Sequence, residues 1–263
     1  MTRIAVIQFP GSNCEYETVY AIRAAGMDAD ILRWNCEEST FHHYDGYVLP
    51  GGFSYQDRVR AGAIAAKLPI MAWLIKADQA QKPILGICNG CQILAESGIV
   101  PNVGGAYQIE MALAANTVSH RPFGFICDWV FVRAFHADRS RFTQWSDSAQ
   151  KLPIPVNHGE GRFVFAESIS GDIDTLAQWR YVTVNGKTDS HFPTNPNGAT
   201  LNIAGIANRA GNALAIMPHP ERAAFSRQLP SWVHRPDRDT LGTADMPGPW
   251  TAIFESLKQV TYA

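Results

Sequence analysis

The chain has 263 residues, 46% of them hydrophobic, and a net charge of −2, which suits one large domain or two small ones with ample apolar material for a core. That charge balance removes the electrostatic case for nucleic acid or an anionic membrane surface. No apolar run approaches the roughly 18 residues of a membrane span, and MTRIAVIQFPGSN enters a strand-like run without a cleavable signal pattern. Five cysteines, odd in number and scattered, point to free thiols in a reducing cytoplasm.

Ile4-Ala5-Val6-Ile7 with Phe9 reads as a buried strand, broken at Pro10-Gly11-Ser12-Asn13. Residues 15–25 carry Val19 and Ile22 at helical spacing and stop at Gly26. A strand over 29–34 completes a β-α-β opening, which implies parallel strands. Tyr47-Val48-Leu49 is a third strand, ending in Pro50-Gly51-Gly52-Phe53; residues 61–77 are helical by composition, and 83–87 form a fourth strand. The first hundred residues thus predict a doubly wound, mostly parallel α/β sheet flanked by helices, with sites at the carboxyl ends of its strands. From Gly104 the character changes. Residues 108–117, 129–133 and 163–167 look like strands around 155-PVNHGEGRF-163, and 181–184, 203–207 and 213–217 continue the pattern. They predict an extension of the sheet or a small antiparallel layer, within a single domain over 1–263. Asn195-Pro-Asn-Gly198 marks a tight turn. Residues 223–249, rich in Pro, Arg and Asp, read as an extended loop before a last helix over 250–260.

Chemistry concentrates in KPILGICNGCQILAE, from Lys82 to Glu96. Cys88 sits where the strand gives way to a helix, with Gly86 and Gly90 two positions to either side, the pattern of a nucleophile elbow with Cys in place of Ser. The following helix points its free N–H groups and positive dipole end at the sulfur. Two other readings stay open. Cys88-Asn-Gly-Cys91 is also C-x-x-C, suited to a dithiol redox site or half a zinc site, although Cys14, Cys36 and Cys127 supply no second pair. Both thiols could equally be small buried packing residues.

A cysteine nucleophile needs a base. Of the eight histidines, His42, His43, His120, His136, His191 and His234 stand in polar or loop contexts where a solvated ring is the default. His219 differs: 217-MPHPER-222 follows an apolar strand, prolines fix φ on both sides, and Glu221 is two residues on. Cys, His and Glu make a triad in which the third group orients the base. The alternative is a rigid turn with an incidental ion pair.

Together FPGSNCE, LPGGFSYQDRVRAGAIA from Leu49, GICNGCQIL, PVNHGEGRF and IAGIANRAGNALAIMPHPER resemble the class I, triad-type glutamine amidotransferases, and within them the glutaminase-subunit family of phosphoribosylformylglycinamidine synthase. The likeness covers nearly the whole chain. Two positions depart from it: Gln56-Asp57-Arg58 stands where many stand-alone subunits have Gly-Asp-Tyr, and Cys91 replaces a frequent aromatic. The stretch over 222–250 is similar to the fused form of the enzyme. The resemblance implies Cys88 as nucleophile, His219 as base and Glu221 as its orienter. It places the oxyanion hole and substrate contacts at Gly52, Asn89 and Gln92, with no metal. It implies ammonia delivery to a large synthetase subunit, with or without a small bridging third subunit, that makes formylglycinamidine ribonucleotide in purine biosynthesis. ATP and Mg belong to that partner, since no phosphate-cradling loop with Lys-Ser/Thr is present here. Another class I glutaminase, a γ-glutamyl hydrolase and a non-enzymatic regulatory module on the same fold are the competing assignments.

Overall fold

Runs of Ile, Val, Leu and Ala with no exposed face build the centre of one sheet. The structure is a computed structural model that describes residues 1–119, 121–233 and 246–258. In chain order the elements are β1 (Arg3–Gln8), α1 (Glu15–Ala24), β2 (Asp28–Arg33), α2 (Glu38–Phe41), β3 (Gly46–Leu49), α3 (Ile70–Gln79), β4 (Ile84–Ile87), α4 (Asn89–Glu96), β5 (Met111–Ala114), β6 (Thr117–Val118), β7 (Arg121–Pro122), β8 (Ile126–Ala134), β9 (Lys151–His158), β10 (Arg162–Phe165), α5 (Ile173–Leu176), β11 (Ala177–Val182), β12 (Ile203–Ala207), β13 (Ala213–Ile216) and α6 (Thr251–Glu255).

Nine strands form one sheet in the order β2-β1-β3-β4-β13-β12-β11-β8-β9. The run from β2 to β13 is parallel, as the alternating first hundred residues predict. From β12 to β9 every pairing is antiparallel. The expected antiparallel addition is therefore present, and four of its strands extend the main sheet while β10 and β5 pair separately. Strands β3, β4, β12 and β13 are buried at every residue, which is why they read as continuous apolar runs without alternation.

Three expectations shift. The helix expected over 61–77 begins at Ile70; Gly62 has φ +79°, and a Cβ there would meet the Gln92 backbone at 2.8 Å, so this segment packs as turns against α4. The strand expected over 108–117 contracts to β5 and the short β6. Strand β9 is not among the expected strands; it lies at the edge of the sheet, where the N–H groups missing at Pro153 and Pro155 are tolerated. Residues 234–245 of the expected loop, the end of the expected last helix, and both His120 and His234 lie outside the described residues.

Candidate active site

Strand pairing collects the site. Leu49 pairs with Gly86, and Ile216 with Ile87, so β3, β4 and β13 end side by side and deliver Gly51-Gly52, Cys88 and His219 to one edge. Cys88 donates its N–H to the Ile216 carbonyl at 2.8 Å. Its own backbone is forced to φ 51°, ψ −104°, a left-handed conformation that a non-glycine residue holds under strain and that turns its side chain out of the strand. The flanking glycines are steric requirements: a Cβ on Gly86 would meet the Gly90 carbonyl oxygen at 2.6 Å.

His219 is sealed in the interior, its N–H donated to the Pro155 carbonyl at 2.9 Å. Its Nδ1 stands 2.5 Å from Oε1 of the fully buried Glu221. Nε2 has no hydrogen-bond partner, leaving it open toward a reacting group. Burial pulls the imidazole pKa down, but the Glu221 carboxylate, reinforced by the Cys88 and Cys14 sulfurs, outweighs it and holds the ring well above its ordinary value. A Cβ added to Gly51 would stand 2.9 Å from His219 Cε1 and 3.5 Å from Cys88 Cβ, so Cys88 and the His219–Glu221 pair border the same glycine. The Cys88 thiol, at the pocket wall, makes a long contact to the Asn157 carbonyl at 3.7 Å.

The expected donors lie beside the sulfur. Asn89 is the first residue of α4, so its N–H has no acceptor within the helix. Gly52 sits in an isolated bridge with Ser12 whose hydrogen bonds come from Phe53 N–H and Asn13 N–H, so the bridge leaves the Gly52 N–H unused. Its φ of +148° and a virtual Cβ contact of 2.7 Å to Gly11 O both demand glycine. Gln92 lines the same pocket, but its amide is committed at both ends: Oε1 accepts from Asn89 Nδ2 at 2.9 Å, and Nε2 donates to the Glu160 carbonyl at 2.8 Å. It ties α4 to the 158–161 loop.

Cys91 is fully buried in the core and its thiol is driven far up by that burial, which suits packing and not dithiol exchange. Cys14, which the sequence shows only as an unpaired thiol, stands beside the His219–Glu221 pair. Its sulfur accepts from Arg222 Nη2 at 3.2 Å, and its pKa is pushed up to about 11, chiefly by burial. Donor atoms of Cys14, His219 and Glu221 lie within 4.8 Å of one another, a set that could hold a thiophilic ion.

The pocket around Cys88, about 150 Å³, is lined by Gly52, Phe53, Asp57, Gln92, His158 and Glu160 among others. That is below the roughly 300–1,000 Å³ of drug-sized sites and suits an amino acid, not a nucleotide. A larger cavity of about 590 Å³, walled by Phe131, Leu152 and Trp232, contains none of the expected site residues. Sequence reasoning assigned no role to Asp57, His158 or Glu160. The available signal was their place in the FSYQD and HGEGR stretches.

A doubly wound sheet carrying a Cys elbow beside a buried His–Glu pair defines a triad-type glutamine amidotransferase domain. The family model of the CobB/CobQ-like glutamine amidotransferase domain matches residues 1–260. The phosphoribosylformylglycinamidine synthase subunit PurQ of Methanothrix thermoacetophila is 45% identical, covering 98% of this chain and 97% of that one. Its counterpart from Pyrococcus furiosus is 39% identical over 85% of this chain and 90% of that one. The structure of PurLQS from Thermotoga maritima contains a chain matching at TM-score 0.73 and 31% identity, with 97% of each chain covered. This chain belongs to the family of PurQ subunits of phosphoribosylformylglycinamidine synthase.

Proposed function

We propose that this chain is the glutaminase subunit of a phosphoribosylformylglycinamidine synthase, with Cys88, His219 and Glu221 as its triad. The observation that carries the reading is the Cys88 elbow set beside an imidazole whose Nδ1 is locked to buried Glu221 and whose Nε2 is free. The Cys88 sulfur attacks the side-chain amide carbon of glutamine, its proton passing to His219. The oxyanion is met by the N–H groups of Gly52 and Asn89, a contribution worth about 10²- to 10³-fold per donor. The imidazolium protonates the leaving nitrogen, ammonia departs, and a γ-glutamyl thioester remains. Water, deprotonated by His219, then adds to the thioester, and the sulfur leaves as glutamate forms.

Ammonia passes to a large synthetase subunit that converts formylglycinamide ribonucleotide to formylglycinamidine ribonucleotide, with a small third subunit completing the assembly, in keeping with the name PurLQS of the Thermotoga maritima structure. ATP and Mg are assigned to that partner, and the whole chain serves as one glutaminase domain in the cytoplasm. Among the described residues, no helix is long and apolar enough to cross a membrane.

A diazo-ketone analogue of glutamine tests the site. Peptide mapping is expected to find it on Cys88, with glutamine protecting. Labelling of Cys14 or Cys91 in its place would overturn the assignment.

A further inference from the structure

Glu221 is fully buried, and its Oε2 has no hydrogen-bond partner. Its Oε1 is taken by His219 Nδ1. Such a carboxylate is costly to keep ionised unless a cation stands near it. Among the described residues one arginine or lysine reaches it: Arg222, whose Nε lies 3.8 Å from Oε1. Arg222 does not line the pocket around Cys88, so it touches the acid of the base pair from outside the space the substrate fills.

The arginine is held from two sides. A tight turn over Pro220–Arg222, opened by the fixed φ of Pro220, returns the Arg222 N–H to the His219 carbonyl at 3.2 Å. Gln228 Nε2 pins that turn by donating to the Glu221 carbonyl at 3.0 Å. The start of α1 grips the guanidinium: Glu17 Oε1 accepts from Nε at 2.8 Å, and Cys14 Sγ accepts from Nη2 at 3.2 Å. The Cys14 thiol keeps its proton, its pKa pushed up to about 11, and donates it to Asn13 Oδ1 at 3.1 Å. The backbone N–H groups of Asn13 and Cys14 both donate to the Gly51 carbonyl at 3.2 Å. Gly51 and Gly52 share one trans peptide, so the same grip fixes the direction of the Gly52 N–H.

Taking His219 as the glutaminase base, we infer that Arg222, clamped between Glu17 and Cys14, is a positioning residue that shares the Glu221 charge from behind and fixes that carboxylate against the imidazole. The groups facing His219 are Cys88 at the head of α4, Cys14 at the head of α1, Glu221 on its own turn and His158 at the end of β9. His158 is neutral down to about pH 3 and Cys14 is a thiol up to about 11, so apart from Cys88 the charges that act on the base are those of Glu221, Arg222 and Glu17. An unshared Glu221 charge would hold the imidazolium proton too firmly for the ring to take one from the thiol. The guanidinium offsets part of that pull, because a positive charge beside the pair favours the neutral ring.

The test is the pH–rate profile for glutamine hydrolysis by the full chain assembled with its synthetase partner. Arg222→Met keeps bulk and removes the charge. Its kcat at neutral pH is expected to fall about tenfold, the worth of one pKa unit of interaction, and its acid limb to move up by about half a pH unit or more. Arg222→Lys restores the charge without the planar fork and should bring the limb back to the wild-type position. Both variants lose the Glu17 and Cys14 contacts, so a merely structural arginine would lower thermal stability and rate in both and move the limb in neither. A limb unmoved in Arg222→Met, or moved equally in both variants, would overturn the inference. Should Arg222→Met fail to fold, Glu17→Gln decides: it leaves the guanidinium uncompensated and should move the acid limb to lower pH, and an unmoved or raised limb there would overturn the inference. A wild-type complex that releases no glutamate from glutamine would instead overturn the glutaminase reading on which it rests.

Discussion

A Cβ placed on Gly90 would stand 1.9 Å from the carbonyl oxygen of Leu49, so the first turn of α4 touches the end of β3 with no room for a methyl group. That contact sets the height of Asn89 and Cys88 above the sheet edge. Gly90→Ala must therefore push α4 outward. Overpacking of this kind typically costs about 1–3 kcal/mol, and it separates the Asn89 N–H from the oxyanion. Thermal unfolding should show a folded, destabilised protein, and glutaminase activity should fall at least about 100-fold. An alanine variant with the wild-type rate would show that the elbow is not held by this contact.

Glu221→Gln isolates the charge on the pair. Burial favours neutral His219 and the Glu221 carboxylate opposes it, so the amide variant lets the imidazolium lose its proton at lower pH. Because the folded value lies above the unfolded one, the contribution of His219 to stability is full below about 6.5 and disappears as pH rises through the folded value. In the variant, kcat should fall about 10²- to 10⁴-fold. The acid limb of the pH–rate profile, set by the neutral imidazole that takes up the proton, should also move to lower pH. A rate loss with an unmoved limb would make Glu221 a purely steric support.

Cys88 and His219 stand out in the sequence because punctuation surrounds them: glycines at ±2 for Cys88, prolines at ±1 for His219. The parallel half of the sheet was legible for a related reason, since buried parallel strands are continuous apolar runs. Strand β9 was hidden by Pro153 and Pro155, residues that an edge strand accepts and a central one does not. Asp57, His158 and Glu160 were hidden because nothing periodic marks them; loops separated by a hundred residues of chain place them together. Gln92 lines the pocket, and its amide joins Asn89 on its own helix to the 158–161 loop.

Asp57 gives a second pH signature. Burial and the nearby charge of Glu160 raise its carboxyl from the ordinary 3.8 to about 6. Its folded value exceeds the unfolded one, so its contribution to stability is full below about 3.8 and is lost as pH rises through about 6. Glu160, His158 and Cys88 face the same space, and of these His158 stays neutral until about pH 3. The wild type should therefore lose thermal stability as pH rises from about 4 to about 6, and Asp57→Asn should flatten that loss. The same pH dependence of thermal unfolding in wild type and variant would contradict this.

The central claim is a division of labour, with Cys88 releasing ammonia and a partner consuming it. Cys88→Ala, assembled with the synthetase subunit, is to be assayed for formylglycinamidine ribonucleotide formation with glutamine and, separately, with an ammonium salt at a pH that supplies free ammonia. Glutamine-dependent synthesis should vanish, and ammonium-dependent synthesis should stay at the wild-type rate. Loss of both activities in an assembled complex, or survival of the glutamine-dependent one, would contradict the account.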